Sequence, residues 1–372
     1  SGKGYPFVSF KCVYDDYFLP DELKDLMDTS DAEKEKYSIK KGDILLTRTS
    51  ETIDELGISS VALKDYKNAT YSGFLKRLRP KKNESVYHKY IAFYLRSNFF
   101  RKMMTNNSVL TLRASLNEKI FSYLELFLPD YDDQVKYGDL LFAIQSKINI
   151  NKKIINEIYN LNKTIYDYWF LQFDFDKNYK SSGGKMVFNE DFDREIPEDF
   201  TYVELGEICD LYQPEIISQE QLKQDGKYLV YGSNGIIGRY DRYNHKETEL
   251  IISCRGDCGN LHITQPCSWI TGNSMVIKPK INELSITFLH RAISLSNISS
   301  AITGSVQGQI TRKNLSKIKI CIPKKDLSPI KKFKSLTDIN LKKIIETNSE
   351  NIYLTKLRDW LVPLMISNQI KL

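Results

Sequence analysis

Residues 132–170 read DDQVKYGDLLFAIQSKININKKIINEIYNLNKTIYDYWF. Taken at alternating steps of three and four, this run gives Leu141, Ile144, Ile148, Asn151, Ile155, Ile158, Asn162, Ile165 and Trp169. Seven of these nine positions are apolar or aromatic, and the residues between them are mostly Lys, Asn, Asp, Glu and Gln. A stripe this narrow predicts a long helix that seeks one partner helix rather than a broad core. Residues 328–362 have similar length and composition and close on Leu357, Trp360 and Leu361. They supply the expected partner within the same chain. Asn151 and Asn162 on the seam, and Asn348 on the second run, either fix register across the pair or face solvent at its edge.

Working outward, the flanks of the two runs repeat in one order. Gly4–Val8 resembles Gly226–Val230, and Asp43–Arg48 resembles Glu249–Arg255. Lys76–Lys81 falls opposite Ser274–Lys280, Ser108-Val109 opposite Ser305-Val306, Leu126–Pro129 opposite Ile320–Pro323, and Trp169 opposite Trp360. The offset drifts from 222 at Gly4, through 207 at Arg48, to 191 at Trp169. Two diverged copies with loops of different length drift in this way, whereas chance matches scatter. Each copy reads as a mixed α/β unit followed by a long helix. Strands are expected at Ile44–Thr47, Tyr123–Leu128, Leu250–Ser253, Ser274–Ile277 and Ile318–Ile322, and helices at Tyr87–Met104 and Ile286–Ile302. Pro129–Asp133 suits a helix start, as does Ser328-Pro329, and Pro363 should end or kink the second helix near Val362.

The expected class is α+β: two target-recognition domains separated by two long helices paired as an antiparallel coiled coil. The boundaries are 1–130, helix 131–177, linker 178–200, 201–326 and helix 327–372. The second copy opens at Tyr202–Ile208, well before Gly226, whereas the first begins almost directly at Gly4. The opening of the first unit is therefore expected to be missing, with Ser1-Gly2 as a cloning remnant.

The chain has 372 residues, 27% charged and 41% hydrophobic, with six cysteines in no paired framework. No apolar run approaches the ~18 residues that span a bilayer, so a cytoplasmic protein without a membrane association is expected. The net charge of +6 conceals strong segregation. Residues 73–119 hold eleven Lys/Arg against two acidic residues, and residues 278–325 hold nine against one. Residues 187–225 hold twelve acidic residues against two basic. Two basic blocks about an acidic connector are either two surfaces for a polyanion or two solvated lysine-rich faces.

At this point the residues resemble those of a specificity subunit of a type I restriction-modification system. The matching features are Val203–Ile208, Tyr231–Tyr240, Ile251–Gly256, Gly304–Gln307 and Ile320–Pro323 before the helix, with Lys41–Thr52 in the first copy. No single motif is diagnostic; the duplicated order is. The resemblance implies a DNA reader without chemistry or a cofactor of its own. Each domain would bind one half of a split double-stranded target, and the helices would set the separation. They would also dock methyltransferase subunits, which bind S-adenosylmethionine, and through these a translocating nuclease subunit. A helix of ~39 residues is about 58 Å long, and sites on one DNA face recur every ~34 Å, so such a spacer is reasonable. The alternatives are the recognition part of a fused restriction-methylation polypeptide, and a coiled-coil scaffold that binds no DNA.

Candidate DNA contacts follow from residue type and place. Arg48 and Arg255 end equivalent strands. Lys76, Arg77, Arg79, Lys81 and Lys82 suit phosphates or guanine edges. Arg113 falls near the place of Gln307, Gln309, Arg312 and Lys313. The glycine-flanked 304–311 segment allows close backbone approach, and Gln suits adenine. Arg239, Tyr240 and Arg242 follow the Gly232-x-x-Gly235-x-x-Gly238 loop, whose spacing fits turns better than a phosphate cradle. Cys254, Cys258, His262 and Cys267 have a spacing compatible with zinc, but the resemblance supports no metal. With four histidines and no convergent acid–base set, catalysis is not expected.

Overall fold

A computed structural model describes residues 3–50, 55–81, 85–107, 109–110, 114–115, 124–174, 184–304 and 307–371. The chain divides into two compact units, Ser1–Lys152 with Glu350–Leu372, and Lys153–Ser349. Each long helix therefore contributes one stretch to each unit. The reason is packing: Leu141, Ile144, Ile148 and Leu361 are buried in the same core as Tyr90, Phe93 and Tyr94. Among the described residues, no helix is long and apolar enough to cross a membrane.

Both units are built on one antiparallel motif. In the first, Ile44–Thr47 lies between Ser59–Val61 and Leu75–Leu78. In the second, Leu250–Ser253 lies between Leu261–Ile263 and Ser274–Pro279, with Cys209–Tyr212 added outside the latter. The central strands are four consecutive buried residues, because each is covered on both faces. A short parallel pair accompanies each sheet, Tyr5–Val8 with Thr70–Tyr71 and Tyr228–Gly232 with Trp269–Ile270. The glycine-spaced loop is the Tyr228–Gly232/Gly235–Tyr240 hairpin, with Gly232 opposite Gly235 and Gly235 at φ +82°. Gly235 serves the turn, whereas Gly238 lies within the strand with Leu222 close against it.

The first long helix spans Tyr131–Tyr166 and continues as a π-helical turn, Asp167–Leu171. Within the first unit, Arg358 donates to Gln145 at 2.6 Å, and Asn151 donates to Glu350 at 2.7 Å and Asn351 at 2.9 Å. Within the second, Asn340 donates to Asn162 at 2.6 Å, and Tyr166 and Phe170 pack on Phe333. In each unit the partner number falls as the helix number rises, so the two stretches run antiparallel. Asn151 and Asn162 are 1% and 5% exposed, which places them in the seam and not at its edge. Ile155, Ile158, Ile165 and Trp169 are half-buried, in keeping with the stripe.

Five expectations need correction. Leu357 and Trp360 are 43% and 60% exposed; only Leu361 of that trio is buried. The second helix does not end near Val362 but spans Ser328–Ile366 with Pro363 inside it, and buried Leu361, Val362 and Met365 hold its last turn onto the core. The expected helix Tyr87–Met104 is two, His88–Arg96 and Asn98–Asn107, broken at extended Ser97. Ile286–Ile302 likewise ends at Leu295, before a 3-10 turn Ile298–Ala301 and the short strand Ile302–Thr303. The linker 178–200 contains a hairpin, Met186–Asn189 with Arg194–Pro197, turned by Asp193 at φ +47°. Its Met186 and Val187 pack on the second core, which an acidic composition did not announce. Residues 178–183 lie outside the described residues.

One further strand is absent where it was expected. In the second unit Lys319–Pro323 pairs with Phe200–Glu204 at five positions. Among the described residues, Leu124–Asp130 has no such ladder and no regular structure; Tyr123 is outside them.

Candidate nucleic-acid interface

In each unit a hydroxyl at the end of the central strand closes the turn that follows. Thr47 Oγ1 donates to the Glu55 carbonyl at 2.5 Å and accepts from the Ile58 amide at 2.9 Å. Ser253 Oγ donates to the Asp257 carbonyl at 2.6 Å and accepts from the Asn260 amide at 2.9 Å. Both side chains are fully buried. The hydroxyl bonds add to the backbone bonds that Thr47 makes with Gly57 and Ile58, and Ser253 with Gly259 and Asn260, and so close each turn at its mouth.

The backbone bonds also correct the register of the repeat. The Arg48 amide donates to the Phe74 carbonyl as the Cys254 amide donates to the Asn273 carbonyl. Arg48 is therefore the counterpart of Cys254, and Arg255 sits one residue further on, opposite Thr49. Both arginines are exposed, and among the described residues neither forms an ion pair.

In the second unit the Ser253 turn and the glycine-flanked segment are stitched together. Arg255 and Gln309 form an antiparallel bridge, the Ile310 amide donates to the Cys254 carbonyl at 3.0 Å, and Cys258 Sγ donates to the Gly308 carbonyl at 3.1 Å. Burial pushes the Cys258 thiol up, so it stays a protonated donor. Gly256 and Gly304 take φ of +74° and +110°, conformations that suit only glycine in tight turns. Gln307, Gln309, Arg312 and Lys313 are all exposed around this apex, the last two on a short helix capped by Thr311. The first unit repeats the arrangement with Thr49–Ser50 paired to Ala114–Ser115.

Other proposed contacts are occupied elsewhere. Arg79 binds Asp43 through two nitrogens at 2.6 Å each, and Arg77 donates to the Ser38 carbonyl. The Asp43 carboxylate holds the Arg79 guanidinium above its usual value. Arg239 donates to the Gly226 carbonyl at 3.2 Å, and Tyr240 packs edge-on against Trp269. These four have intrachain partners, which the composition of their segments could not show. Lys76 has intrachain partners of its own, whereas Lys81 and Arg242 are exposed. Lys82 and Arg113 lie outside the described residues.

The Asp43–Arg79 pair has a counterpart that sequence reading passed over. Glu249, 5% exposed, precedes the second central strand and lies 3.8 Å from Lys278. Burial raises its carboxyl, with Lys278 a weaker opposing influence. Beside it the Tyr212 hydroxyl meets His245 Nε2 at 3.0 Å, and His245 Nδ1 meets Asn244 Oδ1 at 2.7 Å. Asn244 Oδ1 also accepts from the Ile270 amide, so the imidazole must donate from Nδ1 and accept at Nε2.

The cysteine–histidine run disperses. Cys254 Sγ meets the Asn273 carbonyl, Cys258 the Gly308 carbonyl and Cys267 the Lys246 carbonyl, while His262 lies against Gly235. Among the described residues no three His, Cys, Asp or Glu side chains gather.

A family model described as the type I restriction modification DNA specificity domain matches residues 2–160 and again residues 197–355. The type I restriction enzyme MjaIX specificity subunit of Methanocaldococcus jannaschii is 23% identical over 356 residues, which are 89% of this chain and 78% of that protein. Among solved structures, the type I restriction-modification S subunit from M. genitalium superposes with a TM-score of 0.57 at 16% identity. That match covers 98% of this chain and 89% of the other. The HsdS subunit from Thermoanaerobacter tengcongensis matches 98% of this chain and 91% of its own at 14% identity, with a TM-score of 0.34.

Proposed function

The chain belongs to the type I restriction-modification DNA specificity domain family, whose domain it carries twice, and from that premise we propose that each copy binds one half of a split double-stranded DNA target. The long helices set the separation of the half-sites and dock methyltransferase subunits, which carry the chemistry. A nuclease–translocase subunit joins through that complex. The chain itself reads and scaffolds, and catalyses nothing.

The observation that carries this reading is the apex built twice on the same closure: Thr47 and Ser253 each lock a loop at the end of a buried strand. In the second unit the exposed apex side chains include Arg255, Gln307, Gln309, Arg312 and Lys313, with Asp257 on the same turn, and the cations and amides among them suit base edges and phosphates. Docking is supported by apolar residues on outer helix faces. Tyr353, Leu357 and Trp360 are exposed at steps of four and three in the first unit, and Leu336 and Ile339 in the second.

Methylation-site sequencing of cells expressing this chain with its methyltransferase subunit tests the function. A motif of two specified blocks around an unspecified spacer is expected. A continuous motif, or none, overturns it.

A further inference from the structure

The apex holds a specific pair. Arg255 and Gln309 stand directly opposite each other, flanked by the Ile310–Cys254 backbone bond. In the narrow pair of an antiparallel ladder, opposite side chains share a face with Cβ atoms ~4.5–5.5 Å apart. Both residues are exposed. Arginine matches the two acceptors of guanine, and glutamine matches the acceptor and donor of adenine.

The same register position exists in the first unit, where Thr49 pairs with Ser115. The equivalence does not rest on composition. It follows from the turn-closing hydroxyls Thr47 and Ser253, two residues before each first member, and from the matched Arg48 and Cys254 backbone bonds.

We propose that Arg255 and Gln309 are the base-reading pair of the second copy, that Thr49 and Ser115 hold the same place in the first, and that the target's two halves differ because this one position carries different chemistry. The inference rests on the DNA-reading function proposed above. It assigns a guanine and an adenine, on neighbouring base pairs, to the half-site of the second copy. Ser253 is a positioning residue: it touches no base and fixes the turn from which Arg255 projects, and Thr47 closes the corresponding turn of the first copy.

The test is methylation-site sequencing of the full chain with its methyltransferase subunit, in parallel for wild type and variants. Arg255→Ala and Gln309→Ala should each relax one position within the same half-site, by roughly ten- to a hundredfold in discrimination, and leave the other half untouched. Thr49→Arg combined with Ser115→Gln should alter only the other half. Ser253→Ala should relax the half governed by Arg255, and Ser253→Thr, which keeps the hydroxyl as the first copy does, should restore it. A split wild-type motif unchanged in all these variants overturns the assignment. So does a uniform loss on every sequence, which marks phosphate contact. A wild-type motif that is unsplit or absent overturns the function itself, and the pair with it.

Discussion

A buried carboxylate stands before the central strand in both units, and its partner decides its effect. Asp43 is bound bidentately by Arg79, so Arg79→Met should leave an uncompensated charge and lower stability by about 2–3 kcal/mol, read by urea denaturation. Glu249 faces Lys278 at 3.8 Å, and burial outweighs that lysine and raises its pKa above the unfolded value of 4.5. Folding therefore favours its protonated form, and this group's contribution is fully present below the unfolded pKa and is lost as pH rises through the folded one. Glu249→Gln should accordingly be more stable than wild type in melts at pH 8, with the difference gone near pH 4. A stabilisation that persists at pH 4 would contradict the charge argument. At this scale the sequence was least informative. Arg77, Arg79 and Arg255 look alike by residue type, yet Arg77 and Arg79 bind a backbone carbonyl and a buried acid while Arg255 makes no ion pair among the described residues. The closing hydroxyls were equally silent, since a threonine or serine at a strand end is common.

Elements were legible where a side-chain period had to be met. The seam Leu141, Ile144, Ile148, Asn151 repeats at helical spacing, and all four are buried. The hairpin Met186–Pro197 was missed because its outward residues are acidic and only a few inward ones pack. Trp360 was misassigned because an exposed tryptophan on an outer face has the same spacing as a buried one. Two expectations belong to helices. A Cβ on Gly138 would stand 2.7 Å from the Tyr90 amide nitrogen, so Gly138→Ala should force the long helix off the His88–Arg96 helix and cost about 1–3 kcal/mol in thermal or chemical denaturation. Trp360→Ser should leave the melting temperature unchanged, because the ring is exposed, and reduce co-purification of the methyltransferase subunit. Full retention of that subunit would remove this face from the docking surface.

For the whole molecule, the duplication was the most legible feature, because it depends on order rather than on any one motif. The structure refines its offset at the central strand from 207 to 206, and by one residue this changes which side chains are equivalent. Charge was legible only in bulk. Its two basic blocks are partly spent on internal bonds, yet Lys81, Arg312 and Lys313 within them remain exposed. With ~6–10 phosphate contacts in total, DNA affinity in the assembled complex should fall at least a thousandfold between 50 and 200 mM salt. Filter binding or fluorescence anisotropy across that range checks it; a flat response would favour a scaffold that binds no DNA.

The turn-closing hydroxyl has a consequence for how such a protein changes its target. Two bonds from one side chain span eleven positions at Thr47 and seven at Ser253, and both strands beneath are equally buried. The same two bonds thus close turns of different length, while the enclosed Leu56 and Cys254 stay in the cores of their units. Side chains exposed on the turn, such as Arg255, can change without disturbing the buried residues or the backbone bridge, so new specificity can evolve, or be engineered, by substitution there while the scaffold is inherited whole.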